Sequence, residues 1–445
     1  MKKMNHKNIS VNVEYLTRVE GHGNIVVDVT NGVLKKCNLE IVEAPRFFEA
    51  MLRGRSIFEA QHITSRICGI CACAHTLASV QAAEDALGIE PTDQTTRLRE
   101  LLLDMEILDS HILHIYLLAA PDLLGVKSFV PLIDTHPKVI RRALRMKKTC
   151  NDVCDILVGR HIHPISCIAG GFTKLPHAKD LESMHSLLMG MQPDMDATVD
   201  LALQLKFPEF ERETEYVGLV NDGPGYPLLT GDIGSSDGKR VHKKDYKKVT
   251  NEFIVEHSSA KYARLSRESY AVGALARTNL NFNKLCAGAK MVANAATYKP
   301  PVHNPYLNTV AQLIECVHCL DHSIGIIEYF MEHGIRQEEL MLVGLNEKHN
   351  LPVKAGNGVG AVEAPRGTLY HNYETDDQGI IKNANCIIPT AQNINNIEHD
   401  MKSLVPGILD KTEQEITLAL EMLVRAYDPC ISCSAHFLDV RFEGQ

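Results

Sequence analysis

The chain has 445 residues, 45 % hydrophobic and 23 % charged, and its 46 lysines and arginines against 55 acids leave a net charge of −9. That is a globular composition with room for several core clusters, and it has no broad cationic field to hold a nucleic acid. No uninterrupted apolar run nears the ~20 residues that span a bilayer, and MKKMNHKNIS at the start has no apolar stretch behind its lysines, so neither a membrane span nor a secretory signal is expected.

The expected location is cytoplasmic, and the 13 cysteines are then read as thiols rather than a disulfide scaffold. Residues 10–43 read as strands: VNVEY and GNIVVDV lead through Asn31-Gly32, a hairpin signal, into VLKKCNLEIV. Past Pro45 the pattern becomes helical. Apolar residues recur every three or four positions in 97–119, 137–158, 178–205, 258–280, 306–333 and 412–427. In the fifth of these, Leu307, Val310, Leu313, Ile314, Val317 and Leu320 form one stripe. Between them, 221–238 and 351–379 are rich in Gly, Pro and Asp, which predicts loops and short strands lining a site or an interface. No repeat or dividing linker is present. The expected fold is mainly α with a small N-terminal β-element (α+β). Residues 10–45 would form hairpins, 46–436 a helical body and 437–445 a tail, all in one domain.

Two CxxC pairs stand out, Cys68/Cys71 in RICGIC and Cys430/Cys433 in DPCISC, separated by nearly the whole chain. Two thiolates at that spacing reach one ion from a single turn, and two pairs make a four-sulfur site. Spacing alone leaves structural zinc, a redox-active metal and unrelated buried thiols open. The second pair of a zinc site usually follows within about 15–20 residues, and a chain this long does not need zinc in order to fold. Joining both ends around one metal suits a buried reactive centre, and soft sulfur suits nickel, iron, zinc or copper(I). Arg66, just before Cys68, would favour a thiolate. The CVHCLDH motif (Cys316, Cys319, His322) and the Cys150/Cys154 pair lie in periodic helices, where cysteine is an ordinary core residue.

RICGIC followed by His75, together with DPCISCSAH, resembles the large subunit of nickel–iron hydrogenases. TRVEGHG (17–23), PRFFEAMLRGR (45–55), GRHIHPISCIAGGF (159–172), EAPRG (363–367) and CIIPTAQN (386–393) resemble further segments of that family in the same order. The likeness runs from about residue 17 to residue 436 and fits the cytoplasmic, multi-subunit branch. It implies one nickel and one iron held by Cys68, Cys71, Cys430 and Cys433, with carbon monoxide and cyanide on the iron. Cys71 and Cys433 would bridge the metals; Cys68 and Cys430 would bind nickel alone. The implied reaction is reversible heterolytic cleavage of H2, with Cys430 taking the proton and Glu20 relaying it.

The same resemblance places Arg366 over the open metal position, oriented by Asp428, and sets Pro389 and Thr390 around a cyanide, Thr390 donating to it. Ser110 stands where relatives often carry an aspartate. Glu49, the Cys386 carbonyl and His436 match ligands of a magnesium ion. His75 and His163 would make structural hydrogen bonds. Read without the family, Glu20 is a strand-end surface acid and Arg366 part of a loop salt bridge. The implied partners are an iron–sulfur small subunit, further flavin and iron–sulfur electron-transfer subunits, a maturation protease and nickel-insertion proteins. In most relatives the chain is cut after the histidine matching His436; here FLDVRFEGQ follows, either unprocessed or in a protein that works without the cut. An H2-sensing regulatory protein, a quinone-site subunit that has normally lost these thiols, and a zinc-stabilised scaffold are the alternatives.

Overall fold

In the computed structural model, residues 8–341 and 353–435 are described, so His436 and the 437–445 tail lie outside the described residues. The N-terminal β-element is present: β1 (Ile9–Val13), β2 (Gly23–Thr30) and β3 (Val33–Ile41) pair antiparallel in that order. Ile25, Val27 and Val29 on β2, with Cys37, Leu39 and Ile41 on β3, turn one face inward. That face joins Ile394, Ile397, Met401, Ile416 and Leu420 in a second hydrophobic cluster.

The helices that frame the core and the site are α1 (Ala72–Leu87), α2 (Asp93–Leu113), α3 (Pro137–Val158), α4 (Ala178–Ala202), α5 (Ala274–Asn281), α6 (Asn308–His333), α7 (Pro389–Leu404) and α8 (Glu413–Ala426). Leu101, Met105 and Leu108 of α2, Met146 and Val153 of α3, Met184 and Leu188 of α4, and Leu313, Ile314 and Leu320 of α6 all belong to the main core. The fold class is α+β, as expected. The segment Pro305–His333 is long and apolar enough to cross a membrane, yet 78 % of its most apolar window is buried inside the protein, as a core helix would be.

Two segments depart from expectation. Most of 258–280 is not helical: only α5 forms, and Tyr270–Ala271 is a strand paired parallel to β4 (Glu215–Val220). The backbone groups before α5 find other partners. Phe253 and Tyr262 exchange two backbone bonds of 2.8 Å, and Glu215 Oε2 accepts the Ser266 and Arg267 N–H groups at 2.9 and 3.0 Å. The stretch 221–238 holds β5 (Asp232–Ser235), antiparallel to β4.

The second departure is larger. Residues 351–379, expected as loop and short strands, carry β6 (Gly356–Ala364) and β7 (Gly367–Thr375), which continue into β8 (Ile381–Ile387) as a three-stranded sheet. The glycines are there for contact, not for turning. A Cβ on Gly358 would lie 2.1 Å from the Ala82 carbonyl oxygen, and one on Gly360 only 1.9 Å from that of Ala78. β6 therefore lies directly on the alanine ridge of α1, a close backbone approach that only glycine permits. Gly358→Ala should cost about 1–3 kcal/mol or more by overpacking. Gly190→Ala, in α4 where a Cβ meets nothing within 4 Å, should instead stabilise by about 0.5–1 kcal/mol. Denaturant midpoints of the two variants read the contrast.

Where α2 meets α6, the CVHCLDH motif resolves into core and ion pair. Cys316 and Cys319 are buried, and His322 Nδ1 lies 2.7 Å from Asp104 Oδ2. The Asp104 charge raises the imidazole to about 9, with Glu100 and Asp321 adding to it. The folded chain then holds this proton more tightly than the unfolded one, whose histidine titrates near ~6.5. The stabilisation is complete below that pH and is lost as pH rises through about 9. The stability gap between the native chain and His322→Gln should accordingly narrow across that window in denaturant titrations.

Candidate metal centre

The two cysteine pairs arrive from opposite ends of the chain. Cys68 follows a short 3-10 turn (Ser65–Ile67), and Cys71 immediately precedes α1. Beyond α8, Asp428 takes a left-handed conformation (φ +52°), and Cys430 precedes the four-residue helix Ile431–Ser434. Backbone bonds strap the ends together. Ile431 N–H donates to the Glu20 carbonyl (2.8 Å), and Arg46 N–H donates to that of Ala435 (2.7 Å). The Arg46 guanidinium reaches the Ile67 carbonyl at 2.5 Å. Gly21 is obligatory in this strap: its φ is +84°, and a Cβ there would sit 2.5 Å from Ser432 N.

The sulfurs converge. Cys68 Sγ lies 3.3 Å from Cys71 Sγ and 3.6 Å from Cys430 Sγ. Those of Cys68, Cys430 and Cys433 all fall within 4.8 Å of one another, and all four residues are buried. One expectation is corrected: Cys430 and Cys433 are joined as a disulfide, with Cα atoms 5.6 Å apart, where two thiols were expected. A CxxC disulfide and a CxxC chelate both bring two sulfurs to one side of a turn. In either form the pair keeps its place beside Cys68.

Arg366 lies over this cluster, 4 % exposed. Its Nη2 donates to Asp428 Oδ1 (2.8 Å), its Nε to the Asp428 carbonyl (2.7 Å), and its Nη1 to Ser110 Oγ (3.2 Å), with Cys71 Sγ 3.6 Å from the same nitrogen. Ser110 thus supplies a neutral acceptor beside the guanidinium. Arg66, expected as the cation near Cys68, is exposed and bonds the His62 carbonyl instead. The hydrogen bond shared with Cys71 draws the Cys68 thiol down to about 7, with Arg366 assisting against burial. That shared bond, then burial, pushes Cys71 far up.

Glu20 is no surface acid. Its Oε2 lies 3.1 Å from Cys430 Sγ and accepts Ser432 N–H at 3.1 Å, while Oε1 accepts the Ser432 hydroxyl. Thr390 Oγ1 accepts Cys430 N–H (2.9 Å), and Pro389 begins α7 next to it, both residues buried. Glu49 Oε1 accepts Cys386 N–H (2.8 Å) and an Asn385 amide proton (3.3 Å). His75 Nδ1 pairs with His371 Nε2 (3.1 Å) and His163 Nδ1 with the Ser65 carbonyl (2.9 Å).

Sequence reading missed several buried polar groups around this centre. Glu106 of α2 accepts Cys73 N–H (2.5 Å) and Ala74 N–H (3.0 Å) at the start of α1, yet burial pushes its carboxyl up to about 8. Arg277, Glu315 and Glu363 form a connected network, and Gln312 bonds Asp428 beside it, all four at most 1 % exposed. The available signal was the row Asn308, Gln312, Glu315, polar residues on one face of an otherwise apolar helix.

A buried cluster of soft sulfur donors beneath a guanidinium fits a nickel–iron pair, and on donor chemistry alone it would also accept zinc. Relatives separate the two. A family model described as nickel-dependent hydrogenase matches residues 46–135 and 234–436. The sulfhydrogenase 1 alpha subunit of Pyrococcus furiosus is 32 % identical over 96 % of this chain and 98 % of its own. An F420-non-reducing hydrogenase subunit from Methanothermobacter thermautotrophicus is 30 % identical over 97 % and 95 %. A solved structure of an NAD+-reducing NiFe hydrogenase in the H2-reduced state matches with a TM-score of 0.83 at 26 % identity, covering 96 % of this chain and 99 % of that one. By sequence and by fold, the chain belongs to the nickel-dependent hydrogenase family.

Proposed function

We propose that the chain is the catalytic subunit of a soluble nickel–iron hydrogenase, cleaving H2 reversibly into protons and electrons. The observation that carries this reading is the meeting of both CxxC pairs under Arg366, with Glu20 against Cys430. Cys68, Cys71, Cys430 and Cys433 would hold a nickel–iron pair with carbon monoxide and cyanide on the iron, which would supply the Lewis acidity that nonpolar H2 requires, and Pro389 and Thr390 would contact the cyanide. The protein handles the proton. With the Cys430–Cys433 pair reduced, Cys430 Sγ would take it as a thiolate, and Glu20 Oε2, 3.1 Å away, would receive it. The Ser432 N–H and hydroxyl fix the carboxylate in line with that transfer. Arg366, held by Asp428 and Ser110, places positive charge at the sulfurs and polarises what binds below it.

Glu49, the Cys386 carbonyl and His436 are proposed as a magnesium site; Glu49 lies in reach of the Cys386 backbone, whose N–H it accepts. The relatives are named as subunits of hydrogenases, which supports a multi-subunit assembly. Within it, electrons would pass first to a small iron–sulfur subunit, then on to flavin or iron–sulfur partners in the cytoplasm. Isotope exchange tests the function without any electron acceptor. The purified complex under D2 in ordinary water should release HD, and a complex with full nickel that releases none would overturn this reading.

A further inference from the structure

The turn that carries Arg366 joins β6 to β7, and it is gripped from below. All five N–H groups of Arg277, on α5, are engaged. Nε and Nη2 meet Glu315 Oε1 and Oε2 at 2.7 and 2.6 Å. Nη1 reaches Glu363 Oε2 (3.1 Å) and the Ala364 carbonyl (2.9 Å), and Nη2 reaches the Pro365 carbonyl (3.1 Å). The two carbonyls belong to the residues immediately before Arg366. Glu315, on α6, is itself fixed by His111 Nε2 (2.8 Å) and the Tyr226 hydroxyl (2.7 Å). Three residues earlier on the same helix face, Gln312 Nε2 donates to Asp428 Oδ2 (3.2 Å), opposite the oxygen that Arg366 holds. One face of α6 is therefore tied to both halves of the Arg366–Asp428 pair.

We propose that Arg277, clamped by Glu315, is a positioning residue that sets Arg366 over the sulfur cluster, and that Gln312 sets Asp428 to meet it. Fold stability alone explains the arrangement poorly, because a buried ion pair is often replaceable by apolar packing at no loss. A rigid five-donor fork reaching two successive carbonyls fixes a backbone position, which a lysine cannot reproduce. Small displacements of a group above a reacting centre are costly in rate. The inference rests on the reading of Arg366 as the group above the metals.

The test compares native holoenzyme with Arg277→Lys, Arg366→Lys and the double variant. Turnover of H2, nickel and iron content, and amide hydrogen exchange of residues 363–368 are measured in each. Arg277→Lys should lower kcat about tenfold with KM for H2 within about twofold, keep native metal content, and speed exchange only in that turn. In the Arg366→Lys background its effect on kcat should fall below about twofold, because residues that act as a unit are not additive. Equal effects in both backgrounds, unchanged exchange in the turn, or a rate loss matched by metal loss would each overturn the proposal. If Arg366→Lys leaves turnover intact, the role given to Arg366 fails, and the inference fails with it. If Arg366→Lys is slow and Arg277→Lys is not, the inference alone fails. Should Arg277→Lys not accumulate as folded holoenzyme, Gln312→Leu carries the same comparison through Asp428, with the same kinetic pattern expected and additivity again overturning it.

Discussion

Glu20→Gln should slow H2 turnover by about 10²–10⁴-fold, the usual worth of a positioned proton-transfer group. The amide matches the carboxylate in shape and still accepts Ser432 N–H, so the strap around Cys430 should hold. What it loses is the ability to carry a proton away from Cys430 Sγ, 3.1 Å distant. Nickel and iron content should stay at the native level. A kcat within a few-fold of native would show that protons leave by another route.

Cys430→Ser should remove nickel and leave no H2 turnover above background. A serine hydroxyl is a hard, neutral donor in a site built from soft sulfur. The loss of nickel retention should exceed the roughly 10–100-fold that hydrogen-bond partners outside a metal's own ligands are worth. The fold should survive, because the cluster that includes Cys430 is dominated by leucine, isoleucine and methionine from α2, α3, α4 and α6. That separates the present reading from a structural zinc site, whose loss takes the fold with it. Metal analysis alongside a thermal melt reads both consequences: nickel gone with the melt retained is expected, and a cooperative unfolding transition lost together with the metal would contradict it.

Much of the architecture was legible where one face of an element is apolar and the other is not. The N-terminal hairpins, α3, α4, α6 and α8 fall where alternation or helical periodicity put them. The pattern failed where packing depends on small residues. α1 is rich in alanine and nearly buried all round, so it shows no stripe. β6 reads as loop because its glycines, which press on that helix, are the same residues that mark turns elsewhere. Residues 258–273 show the converse error, a helical repeat whose backbone groups are claimed by Glu215 and by a long-range bridge.

The thiols of the centre were legible from spacing, and Glu20 and Arg366 only through the resemblance. In a single sequence, nothing local distinguishes a carboxylate that will fold against Cys430 from one at the end of a surface strand. Arg66 was assigned to the site by its nearness in sequence; Arg366, far away in sequence, is the cation that reaches the sulfurs. Gln312 and Glu315 were hidden inside a stripe read only for its apolar members. Their signal was polarity at positions where an apolar helix has no need of it.

The central claim, that four sulfurs from both ends of the chain hold a nickel–iron pair, is tested most directly by elemental analysis of the purified complex combined with its infrared spectrum. About one nickel and one iron per chain, with carbonyl and cyanide stretching bands, is the predicted result. Zinc in the sulfur site, with no nickel and no such bands, would contradict it.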